Sequence, residues 1–446
     1  MAGSKISDFG TKSISKLLIR QSVPASIGIL VMSLNILIDT IFVGHWIGSH
    51  AIAAINVVLP VSFFIAALGM SIGVGGSSII SRALGSKINE KALRTFGNQV
   101  TLTLSLTISL VIFGLYYIDE IIPVFGGKGA IYHSAKIYYK VVLYGVPMLA
   151  LSMMGNNVIR AEGRPKFAMY AMVIPSITNL ILDVVLIKTL GLGMLGAAWA
   201  TTGSYALCFL FIAWFFVSKN SEMKLQVKHF FLKSSVVSEI ASLGSITLSR
   251  QAIVSLTYLL MNNILFDFGG VTSVTAYAIV SRMLMFALFP IFGITQGFIP
   301  VAGYNYGANN YARVKQSISI AVRYSILLST LIFVVLFSIP EQITKIFTTD
   351  ISVIEKTPSA LRWVFAATPI ISVQLIGAAY FQSVGKALPA LLLTLSRQAF
   401  FFIPLIFILP LYYGELGVWI AFPVSDLLST FLTAYFLRKE ISQKLK

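Results

Sequence analysis

The chain reads as an all-α polytopic membrane protein, with twelve transmembrane helices in two pseudo-symmetric six-helix lobes. Composition, apolar patterning and an internal repeat lead to this reading. Of the 446 residues, 57% are hydrophobic and only 11% charged. That charged share is roughly half of what a soluble domain carries, too little to cover a surface of this size. The net charge of +17 does not point to nucleic acid, because the cations sit in short clusters between long apolar runs. The single cysteine, Cys208, lies inside such a run, so no disulfide framework or cysteine zinc site is expected.

Crossing the hydrocarbon core takes about 20 predominantly apolar residues. Twelve stretches meet that length, at 20–43, 52–80, 96–117, 137–159, 167–188, 193–217, 242–266, 274–301, 315–338, 359–383, 388–410 and 415–437. The first is too long for a cleavable signal and carries Asp39 near its end. Orientation follows from the basic residues of the connections. One side collects 22 of them, among them Lys5, Lys12, Lys16 and Arg20, then Arg160, Arg164 and Lys166, and finally Arg438, Lys439, Lys444 and Lys446. The other side has 7, including Lys128, Lys136, Lys188 and Lys345. Both termini are therefore expected in the cytoplasm, with the chain multi-pass in the cell membrane.

The longest polar connection lies mid-chain and divides the sequence into 1–218, a linker at 219–240, and 241–446. A repeat supports that division. Arg82-Ala-Leu-Gly85 answers to Gly303-Tyr-Asn-Tyr-Gly307, Gly163-Arg-Pro-Lys to Gly385-Lys-Ala-Leu, and Gly193-Met-Leu-Gly196 to Gly414-Glu-Leu-Gly417, at offsets of 222, 222 and 221. Six spans separate the copies, so the repeats run parallel in topology, a frame typical of alternating-access transporters.

Ionisable residues inside the spans are few, and each costs roughly 2.5–3.5 kcal/mol on insertion scales. Asp39 and Asp183 are the clear acids. At about 1.5 Å per residue they lie roughly 28 and 25 Å from the cytoplasmic edge, with Thr201 about 15 Å in from the outside. Asn179 precedes Asp183 by four residues and shares its helix face. Asp39, Asn179, Asp183 and Thr201 can thus surround one polar chamber in the outer half of the membrane. Desolvation and mutual repulsion favour a proton on one of two neighbouring acids, and the same oxygens suit sodium. The plainer alternative is that the acids only hydrogen-bond helices together. Asp426 shows no obvious partner. Arg250, Arg282, Arg323 and Arg397 mark the second half; structural pairing is the simpler role for each, snorkelling suits Arg323, and Arg282 is the first choice for function. Pro24, within the opening turns of the first span, is a candidate hinge.

Gly191-Leu-Gly193-Met-Leu-Gly196 has the GxGxxG form but joins two spans, so it is a turn. There is no Walker A sequence and no HExxH, and the four histidines lack ligand spacing. No enzymatic activity and no cofactor are expected.

Pro24, Asp39-Thr-Ile-Phe-Val-Gly44, Pro60, Arg160-Ala-Glu-Gly-Arg-Pro165, Asn179 with Asp183, Gly196-Ala-Ala-Trp-Ala-Thr201, Gln296-Gly297 and Gly417-Val-Trp-Ile-Ala together resemble the multidrug and toxic compound extrusion (MATE) transporters over essentially the whole chain. The resemblance implies two six-helix lobes around a V-shaped cavity, and export of drugs against a proton or sodium gradient. It carries the family's cation site onto Asp39, Asn179, Asp183 and Thr201, with a carbonyl from Ala197, and its bent first helix onto Pro24. Its drug contacts fall on Asn35, Asn156, Met172 and Arg282. One branch of the family places acids in the seventh and tenth spans; here Gln251 and Tyr380-Phe-Gln-Ser-Val-Gly385 stand there, which resembles the DinF-like or MepA-like side.

The expected function is thus a cation-coupled antiporter for amphipathic, mainly cationic organic compounds, working as a monomer in the bilayer. A flippase for lipid-linked saccharides, from the same wider superfamily, is the second reading; acids in the first half count against an anionic diphosphate cargo. An intramembrane aspartyl protease using Asp39 and Asp183 is remote, because neither acid has the sequence context that chemistry needs.

Overall fold

The computed structural model describes residues 6–445; Lys5 and Lys446, both counted in the charge asymmetry, lie outside the described residues, as does the side chain of Ser49. The apolar stretches are helical throughout. The first six long helices are α1 (Ile14–Trp46), α2 (Ser49–Gly85), α3 (Asn89–Tyr116), α4 (Tyr132–Ala161), α5 (Pro165–Asp183) and α6 (Gly193–Val217). After the mid-chain connection come α7 (Ser234–Gly307), α8 (Tyr311–Ser338), α9 (Ile351–Phe365), α10 (Thr368–Ser383), α11 (Ala387–Leu395) and α12 (Glu415–Lys444). Among the described residues, ten helices are long and apolar enough to cross a membrane, or eleven with the bent pair α9–α10 taken as one span.

Two departures from the expected stretches have local causes. The tenth, expected as one helix over 359–383, is two helices meeting at 47°. Pro369, in the first turn of α10, has no N–H for the preceding turn and disfavours helical backbone just before it. Conversely, α7 runs on for 74 residues, but its backbone leaves helical geometry at Gly269 (φ −147°) and Gly270 (φ 59°). Only glycine enters the second conformation without strain. The stretches 242–266 and 274–301 lie on either side of this break.

The repeat is written in the backbone as well as in the residues. Lys87 (φ 60°) and Asn309 (φ 56°), then Gly163 (φ 74°) and Gly385 (φ 83°), are left-handed pairs 222 residues apart. Gly193 (φ 53°) and Gly414 (φ 56°) follow at 221. The Gly191–Gly196 stretch is a turn leading into α6, with Gly191 also left-handed (φ 65°).

The chain forms two compact units. One holds Ile27–Thr247 with the segment ending at Asp8; the other holds Phe9–Ser26 and the chain from Leu248 onward. The division falls inside α1, between Ser26 and Ile27. In a membrane, helices gain little from apolar burial against one another, so close packing must hold them. In the first unit, Gly69 and Gly73 of α2 supply that closeness. A Cβ at Gly69 would lie 2.7 Å from Cα of Ala150, and one at Gly73 2.9 Å from Cα of Met154, both on α4. Around this seam, Val58, Ile65, Tyr139, Val142 and Val146 are buried together. The mid-chain segment is clamped to α3, where Asn98 donates to the carbonyls of His229 and Phe231 at 3.0 Å each and accepts from the Lys233 amide at 2.8 Å. In the second unit, Gly293 and Gly297 of α7 admit the start of α1. A Cβ at either would sit 2.9 Å from a serine backbone nitrogen, of Ser26 and Ser22 respectively. Met261, Leu265, Val280, Phe365 and Trp419 form its core.

Glu162, in the tight connection between α4 and α5, is 1% exposed. Its Oε1 accepts a 2.6 Å hydrogen bond from Ser221 Oγ, fastening the mid-chain segment to this turn. Burial pushes the carboxyl up to about 7, with the Ser221 hydroxyl pulling the other way. A carboxyl raised in the folded state contributes stability below its unfolded value and loses it as pH rises through the folded one. The window here runs from about 4.5 to about 7. Glu162→Gln should therefore flatten the fall in melting temperature between pH 5 and pH 8 and be the more stable chain at pH 8, by on the order of 3 kcal/mol at most. Parallel melting curves for wild type and variant across that window would contradict this.

Candidate functional site

The polar positions of α1 and α5 meet two by two in the first unit. Asn35 and Asp39 are one turn apart on α1, and Asn179 and Asp183 one turn apart on α5. Asn35 Nδ2 donates to Asn179 Oδ1 at 3.0 Å and to the Ser176 carbonyl at 3.1 Å. This amide contact fixes the register of the helices, and the next turn brings the carboxyls of Asp39 and Asp183 against each other. Asp183 is fully buried, and neither of its carboxyl oxygens has a donor among the described residues. Two ionised carboxylates offer only acceptors, so they can share a hydrogen bond only when one carries a proton. A sodium ion between them would serve the same end. Either would neutralise one of the two charges.

Thr201 and Ala197 close another side, on α6. Thr201 Oγ1 donates to the Ala197 carbonyl at 3.1 Å and lies 3.2 Å from the Tyr138 hydroxyl. A hydroxyl has one proton, so Tyr138 donates to Thr201. Tyr138 is in electrostatic reach of both acids and Tyr205 of Asp39. Thr201 thus approaches the acids through Tyr138 rather than by a hydrogen bond of its own to either. Tyr138 and Tyr205 carry no signal in the sequence, because a tyrosine in a long apolar helix looks the same at a site as in a core. Directly after Asp183 the helix widens into a π segment, Val184–Thr189, a feature frequent at functional sites and invisible to residue spacing.

Deeper in the same unit, Asn156 and Met172 converge on one cation. Arg160 Nε donates to Asn156 Oδ1 at 3.0 Å, and Arg160 Nη2 lies 3.5 Å from Met172 Sδ. Asn156 Nδ2 donates to the Ala168 carbonyl at 2.6 Å. Arg160, grouped above with the cations of the connections, is instead in the last turn of α4, 4% exposed, its guanidinium drawn inward by these partners. Gly28 of α1 abuts the same methionine; a Cβ there would fall 2.7 Å from Met172 Sδ. Pro24 and Arg282 belong to the second unit. Pro24 is buried within α1, where it has no N–H for the carbonyl four residues back. The Arg282 side chain is exposed on α7.

Asp426, which shows no partner in the sequence, has one in the fold. Arg397 Nε donates to Asp426 Oδ1 at 2.6 Å, and the carboxyl is almost fully buried. Arg397 sits in a second π segment, Ser396–Phe402, which shifts its position off regular helical spacing. Removing one partner leaves the other charge buried and unpaired, typically a loss of about 3–5 kcal/mol. Asp426→Ala should therefore melt well below wild type in detergent, and Asp426→Leu combined with Arg397→Met should recover most of that loss. An Asp426→Ala protein as stable as wild type would remove the pair from the structural frame.

Comparison with known proteins agrees with the doubled architecture. The family model MatE matches residues 24–185 and again residues 247–408. The chain is 26% identical over 431 residues to the multidrug export protein MepA of Staphylococcus haemolyticus, covering 96% of this chain and 94% of that protein. It superposes on an outward-facing multidrug resistance MATE family transporter of the MOP superfamily with a TM-score of 0.92 and 27% identity, over 100% of this chain and 99% of that one. MATE structures in bent and in straight conformations also give TM-scores of 0.92, at 27% and 26% identity; each match covers 99% of this chain, and 98% and 99% of those chains respectively. The chain belongs to the MatE family of multidrug and toxic compound extrusion transporters, on its MepA-like side.

Proposed function

We propose that the chain is a cation-coupled multidrug antiporter, exporting amphipathic and mainly cationic organic compounds by alternating access. The observation that carries the proposal is the meeting of Asp39 with the fully buried Asp183, whose carboxyl oxygens have no donor among the described residues. Membership of the MatE family and the similarity to MepA support the drug class. The coupling ion is a proton or sodium, held by Asp39 and Asp183 with Asn179, Thr201 and the Ala197 carbonyl around them. Asn35, Asn156 and Met172 are proposed as drug contacts in the first unit, and Arg282 as a separate one in the second.

In this mechanism a cation neutralises the pair and holds the two carboxyls together as they stand here, and its loss lets two like charges push them apart. Because Asp39 is on α1, the change falls on the helix that carries Pro24. Proline weakens the hydrogen-bond ladder there, so α1 bends at that point and the drug-contacting residues around Gly28 and Met172 are displaced. The change of compact unit two residues after Pro24, between Ser26 and Ile27, supports a hinge at this place. One inward charge supplies about 2.3 kcal/mol per 100 mV, and one pH unit roughly 1.4 kcal/mol more. Together these sustain a drug gradient of more than a hundredfold when coupling is tight.

The same reading gives twelve spans, since the break at Gly269–Gly270 makes two crossings of α7 and the pair α9–α10 makes one. Its halves are 1–218 and 241–446, joined through 219–240. The protein is placed in the cell membrane as a monomer with both termini cytoplasmic.

Purified protein in proteoliposomes with an imposed pH or sodium gradient should move ethidium or rhodamine against its own gradient. Asp39→Asn should lose at least nine-tenths of that gradient-driven flux while still folding, and the gradient that drives the wild type names the ion. Drug movement indifferent to both gradients, or an Asp39→Asn protein as active as wild type, would overturn the antiport.

A further inference from the structure

The second unit carries a groove of about 520 Å³ that the transport chemistry does not use, bounded by α8, α10 and α12. On α8, Lys315, Ser319 and Arg323 follow at four-residue intervals and so form one ridge along a single helix face. Arg438 of α12 faces them, and the walls between are apolar, with Val322, Ile326, Val373 and Leu437. No acid lines the groove. Among the described residues the side chains of Lys315, Arg323 and Arg438 have no ion-pair or hydrogen-bond partner. Glu440, the nearest acid along α12, is engaged elsewhere with Lys386 at 2.5 Å.

The depth of Arg323 makes this arrangement costly without a ligand. It lies eight residues beyond Lys315, about two turns and roughly 12 Å further into the span. An arginine exposed at that depth with no counter-ion must either stretch to the water interface or meet an anion in the bilayer. Arg438 and Lys315 stand at the end of the helices where the carboxyl-terminal segment leaves the membrane, at headgroup level. A ligand that satisfies all three cations at once therefore has an anionic head at the interface and acyl chains that follow the apolar walls inward.

We propose that this groove between α8, α10 and α12 binds one anionic phospholipid from the leaflet at which Arg438 emerges. The phosphate sits between Arg323 and Arg438, with Ser319 as a further donor and Lys315 toward the headgroup. One acyl chain lies along Val322, Ile326 and Val373. The guanidinium groups suit this role, because each can donate two parallel hydrogen bonds to a phosphate. The site is independent of the acid pair in the first unit, so it neither requires nor tests antiport.

Native mass spectrometry of the full chain in detergent tests it directly, with palmitoyl-oleoyl phosphatidylglycerol titrated against palmitoyl-oleoyl phosphatidylcholine. The wild type should retain one phosphatidylglycerol more than the Arg323→Gln/Arg438→Gln protein. That lipid should bind the variant roughly ten- to thirtyfold more weakly, as expected for two cations near a charged surface. Ala434→Phe, which keeps every cation and fills the groove, should show the same loss, so the test stands even where the double charge variant folds poorly. Equal retention by wild type and Ala434→Phe, equal retention of phosphatidylcholine, or displacement of the lipid by inorganic phosphate would each overturn the site.

Discussion

The carboxyl of Asp39 faces that of the fully buried Asp183, whose oxygens have no donor among the described residues, and the contacts around the two follow from that constraint. The register that makes them meet comes from the amide contact one turn earlier, where Asn35 donates to Asn179. That contact in turn depends on α1 lying close to α5, which Gly28 permits at Met172. The magnitudes favour a working device rather than a fixed strut. Two like charges about 4 Å apart repel by about 4 kcal/mol at the effective dielectric of many protein sites. One charge moving down 100 mV supplies about 2.3 kcal/mol. Relief and supply are of the same order, as the proposed coupling requires.

The two halves of the chain share a backbone plan and diverge in chemistry. Left-handed turns recur at the same offset, and a π segment extends both α5 and α11. In the first half that segment follows an acid whose partner is another acid. In the second it carries Arg397, which neutralises Asp426 from within the protein. Asp426 therefore has its cation built in, whereas under the proposed mechanism Asp183 takes one from solution. The duplicated frame thus holds an acid beside an acid in one half and an acid beside an arginine in the other.

Much of this was legible in the sequence for a simple reason: charge in hydrocarbon is so expensive that each intramembrane acid stands out. Asp39 and Asp183 announced themselves by depth alone, and Asn179 by its spacing from Asp183. The repeat was legible in part because Gly163 and Gly385, and Gly193 and Gly414, adopt left-handed backbone that glycine enters without strain. What stayed hidden depended on contacts between distant segments or on departures from ideal helix geometry. Tyr138 and Tyr205 look like core aromatics until α4 and α6 are seen beside the acids. Arg160 counts as a loop cation until its guanidinium is found folded onto Asn156 and Met172. Arg397 cannot be matched to Asp426 by regular spacing, because the π segment changes the helix phase at that residue. The bend between α9 and α10 has its cue in Pro369, but a long apolar run hides it from hydropathy.

The decisive quantity is the state of the acid pair itself. Infrared difference spectroscopy on the purified protein, comparing wild type with Asp183→Asn as pH is stepped and sodium added, reads it without any transport step. The expected result is a protonated-carboxyl band in the wild type that disappears when the pH is raised or when sodium enters, and that is missing or displaced in the variant. Two carboxylates ionised throughout, unresponsive to either cation and unchanged by the substitution, would contradict a cation-gated pair.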